Sequence, residues 1–180
     1  ISKFNKWSDL LQDCDCIIHL AARTHILNDI TKSPIDEFRK VNRDATILLA
    51  KSAEQLNVKR FVYLSSIGVL GDTTLEGRFN NNTKYNPKEA YAISKMEAEK
   101  GIIKIADSSN MEVVIVRPPL VYGPNAPGNF HRLMRLVDLG LPLPLGGFNA
   151  KKNMISLDNL CDILIRTITT KLPKYNQFVV

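Results

Sequence analysis

The sequence predicts an α/β fold in which a parallel sheet is sandwiched between helices. Short apolar runs alternate along the 180 residues with longer segments that have the apolar spacing of amphipathic helices. The runs carry little polar alternation, which favours strands buried on both faces. The segments between the runs are long enough for crossover helices, and such connections join parallel strands in a right-handed sense.

The first part of the chain contains two predicted strands with one long helix between them. Residues 15–20 and 59–64 are the apolar runs. Ser33 and Pro34 are typical of a helix start, and the helix is expected to continue to about Leu56. Its inner face is expected to contain Phe38, Val41, Ala45, Leu48 and Leu49.

A polar loop over residues 68–86 precedes a second helix, which starts near Pro87 and continues to about Ala106. A third strand is predicted over 113–116, where Pro118 and Pro119 end it. Beyond Gly123, glycines and prolines interrupt shorter elements. These are predicted as helices over 129–139 and 157–169 and a strand over 177–180.

Composition excludes several classes of protein. The chain is 44% hydrophobic and 23% charged, as expected for a globular domain rather than a disordered one. No apolar run approaches the ~20 residues of a membrane span, so no membrane partner is expected. Lys and Arg number 24 against 18 Asp and Glu, a net charge of +6 that is spread along the chain. Without a basic stripe interleaved with aromatics, no nucleic-acid partner is expected, whereas an anionic ligand such as a phosphate remains open.

The cysteines predict neither a disulfide framework nor a metal site. Cys14, Cys16 and Cys161 are an odd number without framework spacing, which suits a reducing cytoplasm. Cys14 and Cys16 with His19 and His25 resemble a zinc ligand set in composition. Alternate residues of the predicted strand would, however, face opposite sides of the sheet. No metal is therefore predicted.

Polar residues follow the predicted strands, at the edge where open parallel sheets bind ligands. Ser65 and Ser66 end the second strand and present hydroxyl groups at this edge, although they would equally cap nearby backbone. The sequence Arg-Pro-Pro-Leu follows the third strand, and a rigid turn is the alternative interpretation.

Tyr91 and Lys95 lie four residues apart near the start of a predicted helix, so they share one face. A lysine ammonium beside a phenol favours the phenolate and lowers the pKa of the tyrosine from about 10. The tyrosine then becomes a usable general acid or base. An exposed lysine beside a half-buried tyrosine gives the same spacing, so this pair requires the surrounding motifs as support.

Six segments in register carry a resemblance to a known family. They are Ile17-Ile18-His19-Leu20-Ala21-Ala22, Asn42 with Thr46, Phe61-Val62-Tyr63-Leu64-Ser65-Ser66, Tyr91-x-x-x-Lys95, Arg117-Pro118-Pro119-Leu120-Val121-Tyr122-Gly123-Pro124, and Gly128-Asn129-Phe130. In this order they resemble the extended short-chain dehydrogenase/reductase family, the NAD-dependent epimerases and dehydratases, and in particular its UDP-glucose 4-epimerase-like members. The resemblance implies a Rossmann-like sheet.

The resemblance implies a role for each matching residue. Tyr91 would exchange a proton with a sugar hydroxyl, Ser66 would hydrogen-bond the reacting oxygen, and Lys95 would hold the nicotinamide ribose and lower the pKa of Tyr91. The remaining cofactor-binding residues would be Leu20, Ala21, Ala22, Asn42, Ser65 and Pro118. Asn129 and Lys152 would contact the substrate's diphosphate, although Lys152 stands where the family usually has an arginine and lacks its bidentate fork.

The implied function is C4 epimerisation of a UDP-sugar with NAD, with NADP left open. Ile67 and Gly68 follow Ser66, where sugar dehydratases carry an acidic pair, so no dehydratase activity is predicted. An NADPH-dependent keto-sugar reductase and a non-catalytic Rossmann-like binding domain are the alternatives. The resemblance also implies a homodimer paired through two helices. Their residues Leu49, Ala53, Ala98 and Ile102 would belong either to that interface or to the core.

The family's glycine-rich phosphate loop, G-x-x-G-x-x-G after a strand, does not occur in the sequence. The chain is therefore interpreted as an internal piece of a longer enzyme, with a short paralogue that lost cofactor binding as the alternative. Residues 1–122 are assigned to a partial dinucleotide-binding Rossmann domain. Residues 123–180 are assigned to part of a substrate-binding region interleaved with the sheet.

Overall fold

The computed structural model of the chain describes residues 7–24, 33–74, 77–124, 129–140 and 152–180. The elements in chain order are α1 (Trp7–Leu11), β1 (Cys16–His19), α2 (Pro34–Phe38), a π-helical segment (Arg39–Asp44), α3 (Ala45–Gln55), β2 (Arg60–Leu64), a 3₁₀ turn (Ile67–Leu70), α4 (Ala90–Asp107), β3 (Glu112–Arg117), β4 (Leu120–Tyr122), α5 (Asn129–Asp138), β5 (Met154–Ser156), α6 (Leu157–Thr169) and β6 (Tyr175–Val179).

The main sheet has four parallel strands in the order β1-β2-β3-β6, which confirms the predicted fold class. In the register, Tyr63 of β2 lies between His19 of β1 and Ile115 of β3. Strands β1, β2 and β3 therefore end at one edge of the sheet. The predicted segments follow these strands directly in the sequence. Strands β4 and β5 form a separate parallel pair that the sequence did not predict.

The main sheet is buried on both faces. On one face, helices α3 and α4 pack on Phe61, Tyr63, Val113 and Ile115. On the other face, helix α6 packs on Val62, Val114 and Val116. Helix α6 and strand β6 come from the part of the chain after Gly123. Strand β6 is the last strand of the main sheet, and helix α6 packs on one face of it. The four residues whose place was left open (Leu49, Ala53, Ala98 and Ile102) all lie in the α3–α4 core.

The long helix predicted over residues 34–56 is interrupted. Arg39–Asp44 forms a π-helical segment between α2 and α3. A π turn contains an extra residue compared with an α turn, so the face of the following helix is rotated. Leu48, predicted on the inner face, is 42% exposed, and the side chain of Asn42 is buried instead. The prediction was right for Phe38, Ala45 and Leu49 and wrong for Leu48, while Val41 is half-buried.

Two other boundaries differ from the prediction. Helix α4 begins at Ala90, because Glu89 has an extended backbone conformation (φ −89°, ψ 151°). Strand β6 begins at Tyr175 rather than residue 177. Among the helices that the structure describes, none combines the length and apolar character needed to cross a lipid bilayer.

Candidate active site

The ends of β2 and β3 continue side by side beyond the sheet. The backbone N–H of Ser65 donates to the carbonyl of Val116 over 2.7 Å, and the N–H of Ile67 donates to the carbonyl of Pro118 over 2.9 Å. These two hydrogen bonds hold Ser66 beside the Pro118 segment. The Ser66 Oγ accepts a 3.2 Å hydrogen bond from the N–H of Gly68 and caps the 3₁₀ turn. Ser66 is thus fixed at the sheet edge.

Helix α4 brings Tyr91 and Lys95 to the same edge. The Lys95 side chain is 1% exposed, and its Nζ donates a 2.8 Å hydrogen bond to the carbonyl of Leu64, the last residue of β2. The Nζ lies 6.0 Å from the centroid of the half-buried Tyr91 ring. A Cβ atom at Gly68 would lie 3.5 Å from both the Ser66 Oγ and the Cβ of Ala92, so the serine lies close to the start of α4. The structure therefore brings Ser66, Tyr91 and Lys95 together.

Burial controls the protonation of this pair. It lowers the pKa of Lys95 to about 8, although the negative charge of Glu99 acts in the opposite direction. It also raises the pKa of Tyr91 above its usual value. The sequence reasoning expected the opposite direction for Tyr91. The difference arises because burial removes water from the phenol, whereas the lysine Nζ hydrogen-bonds the Leu64 carbonyl.

Asn42 connects the segment after β1 to helix α4. Its Oδ1 accepts from the backbone N–H of Arg23 (2.8 Å), and its Nδ2 donates to the carbonyl of Arg23 (3.0 Å) and to the Ser94 Oγ (3.0 Å). Ser94 in turn donates a 2.7 Å hydrogen bond to the backbone carbonyl of Tyr91. Both amide hydrogens of Asn42 are therefore used within the protein. The π-helical segment that turns Asn42 inward thus fixes the geometry of the edge.

The segment after β1 has the side chains expected of a surface along which a dinucleotide lies. Leu20 is exposed, and Ala21 and Ala22 are half-buried. Pro118, predicted near the nicotinamide, is buried at the neighbouring end of β3. Contact of these residues with a cofactor stays a prediction.

A buried polar cluster behind this edge was not predicted from the sequence. The carboxylate of Glu99 accepts hydrogen bonds from the Arg117 guanidinium (2.6 and 3.1 Å), the Tyr85 hydroxyl (2.7 Å) and the Ser65 hydroxyl. Glu99 and Arg117 are 0% and 1% exposed. The Ser65 hydroxyl is thus committed to the protein interior and its N–H to Val116, so a cofactor contact by Ser65 would use its backbone carbonyl. The only signal in the sequence was that Glu99 follows Lys95 by four residues, on the same helix face.

The predicted substrate residues lie beyond β4. Lys152 is exposed and lines a cleft of about 580 Å³ together with Pro119, Tyr122 and Met154. Because Pro119 adjoins Pro118, this cleft opens at the same edge of the main sheet. Asn129 begins helix α5, and its side chain lies outside the described part of the chain.

Within the described ranges, no three or more His, Cys, Asp and Glu side chains form a group that could hold a metal ion. Cys14 and Cys16 are half-buried free thiols, and Cys161 is an exposed one. His25, which the zinc hypothesis included, lies outside the described residues.

His19 is expected to make the stability of the fold depend on pH. It is buried against Thr46, with 2.8 Å between its Nε2 and the threonine Oγ1. Burial, and secondarily the charge of Lys95, lowers the pKa of His19 to about 4. Between roughly pH 6.5 and 4 the unfolded chain therefore binds a proton that the folded chain does not. The free energy of unfolding is expected to fall by about 3 kcal/mol as the pH decreases through this range.

Chemical denaturation over this pH range, with H19Q as the matched variant, measures the effect. Carboxylates titrate in both proteins, so the difference between them isolates His19. The prediction would be contradicted if the His19 imidazole, identified by the signal that is missing in H19Q, titrated near pH 6.5 in the NMR spectrum of the folded protein.

A parallel sheet in which a serine after β2 lies beside a tyrosine and a lysine of helix α4 is typical of a Rossmann-like domain of the short-chain dehydrogenase/reductase class. The chain belongs to the NAD dependent epimerase/dehydratase family, whose sequence model matches residues 1–180.

Two relatives indicate the range of chemistry in the family. A "UDP-glucose 4-epimerase" of Vibrio cholerae is 42% identical over 160 residues, which cover 88% of this chain and 49% of the relative. A human "dTDP-D-glucose 4,6-dehydratase" is 33% identical over 111 residues, covering 62% of this chain and 31% of the relative. The chain thus spans about half the length, or less, of these curated relatives.

Solved structures show the same fold. A UDP-glucuronic acid 4-epimerase from Bacillus cereus, in complex with UDP-glucuronic acid and NAD, superposes with a TM-score of 0.85. The match covers 100% of this chain and 58% of that protein, at 22% identity.

Proposed function

We propose that this protein is a nucleotide-sugar epimerase that inverts C4 of a UDP-sugar through a keto intermediate, with NAD as the cofactor and NADP as the variant to test. The observation that carries the proposal is the convergence of Ser66, Tyr91 and Lys95 where β2 meets α4. The 42% identical relative named a UDP-glucose 4-epimerase supports this choice of substrate and reaction.

Each of the three residues would have a distinct role. Tyr91 acts as the base in its ionised form, which burial disfavours in the chain without bound cofactor. The phenolate accepts the proton of the C4 hydroxyl as the C4 hydride leaves, and it returns the proton when the hydride is returned to the other face of the ketone. Ser66 hydrogen-bonds the reacting oxygen, and Lys95 supplies positive charge one helical turn away. Bound NAD would supply the acceptor and donor for the hydride. Residues 20–22, Asn42, Ser65 and Pro118 would line its binding edge.

The direct test is to incubate the full-length protein with UDP-glucose and identify the products by NMR. Interconversion with UDP-galactose, without net consumption of added dinucleotide, is the expected result. Net NADPH oxidation with a keto-sugar would identify a reductase instead. Absence of both, in a folded protein that also fails to bind NADH, would favour the non-catalytic binding domain.

The same assay tests the expectation that the protein is no dehydratase. Ile67 and Gly68 occupy the turn directly after Ser66 and carry no group that transfers a proton. Elimination of water from the sugar requires such groups. A 4-keto-6-deoxy sugar nucleotide among the products would contradict this expectation.

Replacing Ser66 with alanine is expected to lower kcat by about 10²-fold, because a hydrogen-bond donor to the reacting oxygen is lost. S108A is the matched control, since Ser108 follows the last residue of α4, far from the strand ends, and bonds only backbone carbonyls among the described residues. Steady-state kinetics of both variants measure the effect. Equal turnover of S66A and S108A would exclude the proposed role of Ser66.

We also propose that the full-length protein is a homodimer paired through the outer surfaces of α3 and α4. Leu48 on α3 is one exposed apolar residue that such an interface would cover. A concentration series in sedimentation velocity measures the dimer, and L48E is expected to weaken it. A monomer at all concentrations would contradict this proposal without affecting the catalytic one.

A further inference from the structure

Tyr63 lies beneath the ammonium group of Lys95 in the interior of the protein. The Lys95 Nζ is 4.6 Å from the centroid of the Tyr63 ring and 2.8 Å from the carbonyl oxygen of Leu64. The Tyr63 side chain is fully buried, and its ring stacks on that of His19 at 5.7 Å and 21°. Strands β1 and β2 thus provide an aromatic support for a side chain that belongs to α4.

A buried ammonium requires compensation for the water it has lost. The Leu64 carbonyl satisfies one of its three donors. The negative face of an aromatic ring attracts a cation within about 6 Å, most strongly where water is excluded. At 4.6 Å the Tyr63 ring is well within that distance, and it leaves donors of the ammonium free for a ligand.

We propose that Tyr63 is a positioning residue for Lys95, and that the face of its ring, rather than its hydroxyl, holds the charged ammonium at the end of β2. This rests on the proposed function only in that Lys95 is the lysine of the proposed catalytic site. The Tyr63 hydroxyl is buried and interacts with the Thr46 side chain rather than with Lys95, so its removal leaves the ring face beside Lys95 intact.

Other groups also face the ammonium. They are His19 from β1, held neutral by its burial, and Tyr91 and Glu99 from α4 itself. The Glu99 carboxylate favours the charged lysine, but it is already engaged by Arg117. The test must therefore change the ring of Tyr63 while these groups stay in place.

The experiment measures the pKa of Lys95 in the full-length protein from the ¹³Cε shift of labelled lysines, with K95M identifying the signal. Y63F is expected to leave the pKa near its value in the natural protein. Y63L is expected to lower the pKa of Lys95 by about 1, because the ring no longer stabilises the charge.

F61L is the matched control. Phe61 is equally buried on the same face of β2 and also lies near His19 (6.1 Å), but it has no ring contact with Lys95 among the described residues.

A second series keeps the proposal testable if Y63L does not fold. Phenylalanine analogues with increasing fluorination at position 63 keep nearly the same volume while weakening the negative ring face. The pKa of Lys95 is expected to fall stepwise along the series. Equal pKa values for Y63L and F61L, or a pKa that does not respond to fluorination, would overturn the proposal.

Activity adds a second readout that a purely structural role would not change. The alkaline limb of the kcat/KM profile is expected to move to lower pH in Y63L but not in F61L, and Y63F should restore it. The NMR measurement needs no substrate. The proposal for Tyr63 and the proposed function can therefore fail independently.

Discussion

Replacing Tyr91 with phenylalanine is expected to lower kcat of the full-length protein by about 10²–10⁴-fold, the usual effect of losing a general acid–base group. The substitution removes only the hydroxyl. The ring keeps its edge-on contact with Phe38, at 6.2 Å between centroids, so the fold should keep its stability. The loss should therefore appear in turnover of UDP-sugar, measured by coupled assay, and not in the midpoint of denaturation.

The matched control is Y175F. Tyr175 has a buried hydroxyl without a hydrogen-bond partner among the described residues, and it lies where β6 begins, opposite Val113 and away from the carboxyl ends of β1–β3. This variant removes the same atom and should leave turnover unchanged. If Y91F turned over substrate as fast as Y175F, Tyr91 would not be the acid–base residue.

Replacing Glu99 with leucine is expected to reduce the free energy of unfolding by about 3–5 kcal/mol. The substitution leaves the Arg117 guanidinium in the interior without the carboxylate that binds it at 2.6 Å. It also removes the acceptor for the hydroxyls of Tyr85 and Ser65. An unpaired buried charge costs far more than the pair contributes, so the effect should be among the largest of any single substitution in this chain.

The double variant E99L/R117L separates the two causes. Removing both charges should recover most of the lost stability, because replacing a buried ion pair by apolar residues is often close to neutral. D15N is the control for charge removal alone, since Asp15 and Lys59 form a 2.8 Å pair on the surface and should contribute little. A double variant as unstable as E99L would show that the lost acceptor for the Tyr85 and Ser65 hydroxyls, or the changed shape, determines the effect rather than the unpaired charge.

The sheet, and the edge at which its first three strands end, could be predicted because the determining patterns are local. The strands are short apolar runs, and β1, β2 and β3 lie within two residues of their predicted bounds. The motif residues Ser66, Tyr91 and Lys95 could be placed at one edge, because parallel strands end together and α4 starts beside them.

The interruption of the long helix could not be predicted in the same way. Apolar spacing assumes a constant helical period, and the π-helical segment at Arg39–Asp44 changes it. The inward position of Asn42 depends on its hydrogen bonds to Arg23 and Ser94, residues 19 and 52 positions away along the chain. Contacts over such separations leave no local pattern.

The sequence by itself determined the fold class, because the alternation of apolar runs and amphipathic segments is a local pattern. Ser66, Tyr91 and Lys95 were selected by the resemblance of their motifs to a known family and not by spacing alone. Tertiary structure alone decided how those residues are charged and held. The direction of the Tyr91 pKa depends on burial and on where the Lys95 ammonium lies. The Glu99–Arg117 pair and the ring of Tyr63 beneath Lys95 arise from packing between α4 and the strands. Burial and distance are properties of the assembled protein, and they set these electrostatics.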